Sequence, residues 1–186
     1  MPRIASVRDA AEPSSEEQRA RHGRILRAAA LLGAEKDLER VQMHEVAKLA
    51  GVAIGTLYRY FPSKTHLFVA VMVDRIDRMA LTLAGRTRTR TTCAAAVCDA
   101  LIQATEALLG TPLLATAMIQ SAATSNAAAI PDVAKIDRQF ERLLLDAAGV
   151  AEPSESDATA LRLVVALWFG LVQSALNGRT SISQIE

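Results

Sequence analysis

The chain has 186 residues, room for one ordinary domain or for a small domain joined to a larger one. It is 51% hydrophobic but only 4% aromatic, so its core must come from Ala, Leu, Val, Ile and Met, a mix that favours helices because Ala and Leu lose little side-chain entropy there. Net charge is +1, with 11 Lys/Arg against 8 Asp/Glu in residues 1–66 and 10 against 12 in residues 67–186; this permits a nucleic-acid partner without requiring one, and no apolar run reaches the roughly 18 residues of a membrane span.

Residues 1–14 carry scattered polar groups and two prolines and read as a disordered arm. Arg3, Arg8, Asp9, Glu12, Glu16 and Glu17 interrupt the first twenty residues, which excludes a secretory signal and implies a cytoplasmic, reduced protein. A first helix is expected from Ser14 or Ser15, with Glu16 and Glu17 in its first turn, where the helix dipole favours acids. Ile25, Ala28, Ala29 and Leu32 give it one apolar face. A second, short helix fits Met43 to Ala50, with Val46, Leu49 and Ala50 inward, and Gly51 ends it. A third runs from about Ala53 to Tyr60, and Pro62 forbids its continuation. Ser63 caps a long fourth helix, marked by Val69, Met72, Val73, Ile76, Met79 and Leu83. Gly85 to Thr92 is a basic break; a fifth helix covers about Cys93 to Leu109 and a sixth about Leu113 to Ala123. The seventh, about Pro131 to Ala148, opens with proline in its first turn. The last, about Ser156 to Leu176, is apolar on more than one face and so needs cover on two sides. The fold class is therefore all-α: a three-helix head over residues 15–66, then an antiparallel helical bundle over 67–186.

The segment Val41 to Leu67, VQMHEVAKLAGVAIGTLYRYFPSKTHL, carries the functional signal. Short helix, glycine turn, short helix is the sequence form of a helix-turn-helix, whose second helix enters the major groove of DNA. On that second helix, Leu57 and Phe61 share one side, which would pack inward. Gly55, Thr56, Tyr58 and Arg59 occupy the other, offering a hydroxyl, a phenol, a guanidinium and a glycine that allows close approach. Lys64, near the start of the fourth helix, adds a charge suited to phosphate.

This segment, from Arg24 to about Leu81, resembles the DNA-binding domain of the TetR family of bacterial repressors. Gly51-Val52, Gly55-Thr56-Leu57-Tyr58-Arg59-Tyr60-Phe61 and Ser63-Lys64 carry the likeness. The resemblance implies that Ile54, Gly55 and Tyr58 lie against base edges and that Thr56, Tyr60 and Lys64 hold phosphates. It also implies that Met43 and His44 meet the backbone or an edge base. Family members often place Thr near Gln42 and Met43; this chain lacks it. Arg19, Arg21 and Arg24 read equally as an extension of the footprint or as solvated surface. Within the family the chain is similar to the KstR-type repressors of cholesterol catabolism, through Val41-Gln42-Met43, Val52-Ala53, Gly55 to Lys64, Pro112-Leu113-Leu114, Ala117-Met118 and Trp168. Such repressors respond to a steroid-derived acyl-CoA, so the resemblance implies a small hydrophobic effector of that class.

For the bundle, Met72, Met118, Phe140 and Trp168 are candidate pocket walls. Gln120, Ser121, Thr124, Asn126, Gln173 and Asn177 are the polar side chains among apolar neighbours. The basic break at 85–92 would suit an anionic group or simply face solvent. Leu161, Val165, Leu167, Leu171 and Val172 on the last helix form the expected homodimer interface. In the resembled proteins a further helix normally follows; here the sequence ends at Ser183-Gln184-Ile185-Glu186, so that helix is expected to be absent or only a stub. Catalysis and metal binding are not expected: His22, His44 and His66 lie in or beside the head without ligand spacing, and no nucleophile or nucleotide motif occurs. Cys93 and Cys98 read as small buried hydrophobes rather than nucleophiles. No cofactor and no membrane partner follow. A regulator acting through protein contact, without an effector, stays open; an interior filled between Val69 and Leu176 would favour it.

Overall fold

The computed structural model describes residues 11–85, 92–125 and 130–180. They form α1 (Glu16–Glu35), α2 (Met43–Ala50), α3 (Ile54–Tyr60), α4 (Lys64–Ala84), α5 (Cys93–Leu109), α6 (Pro112–Ala123), α7 (Pro131–Ala148) and α8 (Glu155–Leu176). No strand occurs among the described residues, so the all-α expectation holds. Most of the basic break, Asn126 and the last six residues lie outside them.

The helix ends follow from local chemistry. Ser15, Ser63, Thr92 and Ser154 each accept a hydrogen bond from a backbone N–H three residues on, satisfying donors that the first helical turn leaves unpaired. Gly51 closes α2 at φ 65, a left-handed conformation that favours glycine, and its N–H returns to the Ala47 and Lys48 carbonyls.

Two cores share α4. The first gathers Ile25 and Ala29 of α1, Val46 of α2, Leu57 of α3, Phe68 and Val71 of α4, and Leu114 and Met118 of α6. The second joins Val69 and Ile76 of α4 to residues of α5, Ile136 and Phe140 of α7, and Leu161 of α8. The N-terminal helices thus do not pack alone, because α6 completes their core. Closeness at this junction is set by Gly33, where a Cβ would lie 2.6 Å from Phe68 Cε1 and 3.0 Å from Leu114 Cδ1.

Several expectations need correction. Leu49, read as inward, is 53% exposed: on an eight-residue helix, Val46 and Ala50 fill the face toward α1 and leave Leu49 outside it. The end of the supposed disordered arm is held, for Ala11 N donates to Arg59 O at 3.0 Å and Ser14 N to Gln18 Oε1 at 3.0 Å. Cys93 and Cys98 are exposed and free: Cys93 is the first residue of α5, at its uncovered end, and Cys98 points away from the side that buries Ala100 and Ala104. Finally, α8 is long and apolar enough to cross a membrane by length and composition. It is nonetheless built into the bundle, with Leu161 and Val172 buried and Trp168 Nε1 donating to Thr105 Oγ1 at 2.8 Å.

Candidate functional site

α2 is fixed at both ends. Lys36 Nζ pairs with Glu45 Oε1 at 2.9 Å, and that hydrogen bond holds the Glu45 carboxyl below its ordinary value. At the other end Arg24 Nε donates to Ala50 O at 3.3 Å. α3 then lies across α1 and α2, held by the fully buried Leu57 and by Tyr60 and Phe61. Its opposite face presents Ile54, Gly55, Tyr58 and Arg59, all exposed, with Thr56 half-buried. Open space surrounds Gly55: a Cβ there would meet nothing within 4 Å. A cleft of about 560 Å³ brings together Met43 and His44 of α2, Ile54 and Tyr58 of α3, and Lys64 and Thr65 of α4.

Lys64 has a second role that its position in the sequence did not reveal. Its ammonium donates to Leu38 O at 2.8 Å and to Glu39 O at 3.1 Å, tying the α1–α2 loop to α4. An ammonium has three donors, so one stays available for an incoming phosphate. Arg19 and Arg21 are likewise engaged within the head, Arg19 Nη1 with Ser14 O and Arg21 with Glu17. With Arg24 on Ala50, this favours the surface reading of the three arginines.

Two expected contacts are corrected. Tyr60 is 2% exposed, because it follows Leu57 by three residues and falls on the same inward side of α3. Its ring packs beside His22 and Phe61, and its hydroxyl accepts from Arg59 Nη2 at 3.2 Å while the Arg59 guanidinium lies 5.1 Å from the ring centre. Tyr60 therefore supports Arg59 from the inward side of α3 rather than standing on its exposed face. The Met43 side chain is buried too, leaving its backbone as the part that faces outward.

Behind the head, residues of α1 and α4 to α8 line a half-open cavity of about 1240 Å³. Met72, Met118, Phe140 and Trp168 line it. Trp168 stacks on Phe140 at 5.1 Å between ring centres. It is oriented through Thr105, whose Oγ1 donates in turn to Leu101 O at 2.8 Å. Gln120, Ser121, Thr124 and Gln173 do not line the cavity. α6 turns Met118, Ile119 and Ala122 toward it and leaves Gln120 exposed. Thr124 Oγ1 returns to Gln120 O at 2.7 Å, and Ser121 is buried away from the cavity. Gln173 lies on the last turns of α8, beyond the stretch from Leu161 to Phe169 that reaches the space.

The polar residues that do line the cavity include Arg75 and Glu141, both missed in the sequence. The signal was present: Met72, Arg75, Ile76 and Met79 recur at i, i+3, i+4 and i+7, which puts a guanidinium on the apolar face of α4. On α8, Leu161 and Val172 are buried and Val165 lines the cavity, so these three leave the expected interface. The exposed apolar face is Leu163, Val164, Leu167 and Leu171.

Residues 25–71 match the bacterial regulatory proteins of the tetR family, and residues 91–186 match the tetracyclin repressor-like C-terminal domain. The chain belongs to the TetR family. This TetR-family regulator is 34% identical to the HTH-type transcriptional repressor KstR of Rhodococcus jostii (strain RHA1), over 92% of this chain and 80% of the relative. KstR of Mycobacterium tuberculosis (strain ATCC 25618 / H37Rv) is 30% identical over 94% and 79%. A TetR transcriptional regulator from Rhodococcus sp. RHA1, known as a crystal structure, is 60% identical over 91% of both chains with a TM-score of 0.86. The TetR-family chain is accordingly a helix-turn-helix transcriptional regulator homologous to KstR repressors, and not an enzyme. No cluster of His, Cys, Asp and Glu suited to a metal occurs among its described residues.

Proposed function

We propose that this regulator is a cytoplasmic repressor that binds a palindromic operator as a homodimer and is released by a small hydrophobic effector of the steroid-derived or long-chain acyl-CoA class. The observation that carries this reading is the large cavity under α4, the same helix whose first turn holds Lys64 beside the DNA-facing cleft. A ligand that prefers a different setting of α4 lowers operator affinity by the ratio of its affinities for the two states. The exposed α8 face supports the dimer, which would set two recognition helices roughly 34–36 Å apart on DNA. The likeness to KstR supports the effector class. The cavity also counts against a regulator without an effector, the reading that a filled interior would favour.

His44, Ile54, Gly55, Thr56, Tyr58, Arg59 and Lys64 are the side chains assigned to DNA, with Met43 acting through its backbone. The test selects bound fragments from a genomic pool at physiological salt, with and without a steroid acyl-CoA. Recovery of one palindrome, lost on adding the thioester, is the expected result. A palindrome unaffected by the thioester rejects the effector class, and no enrichment rejects the operator-binding dimer.

A further inference from the structure

We infer that Arg75 is the charge-reading residue of the cavity: its guanidinium receives an oxyanion, a carboxylate or a phosphate, carried at one end of an otherwise apolar effector. This rests on the effector reading above and adds to it which residue selects the ligand and by what chemistry.

Arg75 is half-buried in the wall formed by α4, α5 and the α5–α6 turn. One of its terminal nitrogens, Nη1, lies 3.5 Å from Ala107 O and 3.4 Å from Thr111 Oγ1. Both are long for hydrogen bonds, and they engage one nitrogen of a group that offers five donors in a planar fork. No carboxylate lies within ion-pair distance of it among the described residues. Burial lowers the Arg75 pKa, and the charges near enough to act on it are Arg78 and Asp74 on its own helix. Asp74 is paired with Arg78 at 2.8 Å, so it offsets the Arg75 charge only from a distance and forms no ion pair with it. The remaining carboxylates of the wall include Glu106 and Asp137, which are exposed, and Glu141 across the cavity on α7.

Arg27, Arg78 and Arg162 also line the cavity but are exposed. Arg75 is the half-buried guanidinium of the wall, with no acid at ion-pair distance, and beside Met72, Phe140 and Trp168 it matches an amphiphile with an anionic end. Arg75 lies eleven residues after Lys64 on one continuous helix. An oxyanion seated there acts on the same rigid element that anchors the DNA-facing cleft.

The sole tryptophan, Trp168, reports occupancy by its fluorescence. The purified chain is titrated with stearate, stearyl alcohol and stearoyl-CoA, and with the same three forms built on a steroid side-chain acid. Wild type is expected to bind an anionic form about ten- to a hundredfold more tightly than the alcohol of the same body. Whether the free acid or the thioester is preferred tells a carboxylate from a CoA phosphate. Arg75→Met is expected to remove that preference while holding alcohol affinity within about twofold, and Arg75→Lys to keep part of it. Thermal melts of both variants separate a loss of fold from a loss of selectivity; should Arg75→Met not fold, the Arg75→Lys ratio decides. A role confined to bracing the α5–α6 turn would lower the melting temperature and leave the preference unchanged, which overturns the inference. Equal binding of acid, thioester and alcohol by wild type overturns it too, while leaving the effector cavity intact. Failure of every probe to bind overturns both.

Discussion

Gly55 shows how one residue separates the demands of folding from those of DNA binding. It sits inside α3, where glycine costs about 0.5–1 kcal/mol relative to alanine, and a Cβ there would meet no atom within 4 Å. Nothing in the folded chain requires glycine at this position. Gly55→Ala is therefore expected to stabilise the head by up to about 1 kcal/mol and yet weaken operator binding roughly tenfold, since the methyl stands where α3 would approach the bases. A thermal melt alongside a DNA titration checks both signs. Loss of stability would mean that α3 is packed more tightly than described, and unchanged affinity would move the base contacts elsewhere. Gly55, Tyr58 and Arg59 were legible as outward because a helix of known ends fixes its own phase, while Thr56, read with them, is half-buried. The burial of Tyr60 was not legible in the motif, which is a string, whereas inside and outside are set by the 100° step from Leu57.

At the scale of single elements, α8 marks the limit of periodicity. Leu161, Leu163, Val164, Val165, Leu167, Leu171 and Val172 wrap its circumference, so the sequence shows that two faces need cover without saying which one the chain itself covers. The structure answers through Leu161 and Val172, which are buried, and Leu167, which is 71% exposed. Leu167→Glu is then expected to leave the monomer fold unchanged, because the side chain touches little of its own chain. It should convert a dimer to monomers and abolish cooperative operator binding, since a charge buried in an apolar interface goes uncompensated. Sedimentation equilibrium decides the matter. An unchanged dimer would place the interface away from α8, and an unfolded variant would show that Leu167 contributes to the monomer core.

At the scale of the whole molecule, the head and the bundle meet through α4 and α6, and two histidines beside this junction carry a pH dependence. His22 of α1 packs between Tyr60 and Phe61 with ring centres 5.7 and 4.9 Å away. Burial pushes its pKa below the ordinary 6.5, opposed by Asp132 of α7 and Asp74 of α4. His66, whose Nδ1 is 2.8 Å from Ser63 Oγ at the cap of α4, is lowered by the same cause against Asp132. Asp132 itself is paired with Lys135 at 2.7 Å. For both histidines the unfolded chain takes up protons first as pH falls. The stability they contribute is complete above about pH 6.5 and is lost as pH falls through their lower native values. Charging them also places cations at the N-terminus of α4 and inside the aromatic packing of α3, where the helix dipole and the buried surroundings both disfavour them. The melting temperature of wild type is therefore expected to drop between pH 7 and pH 5.5, and the drop should be smaller in His22→Gln, measured against the variant's own value at pH 7. If the two proteins lose stability in parallel, His22 is not the group responsible, and the titration belongs to His66 or to the carboxylates along α4 and α7.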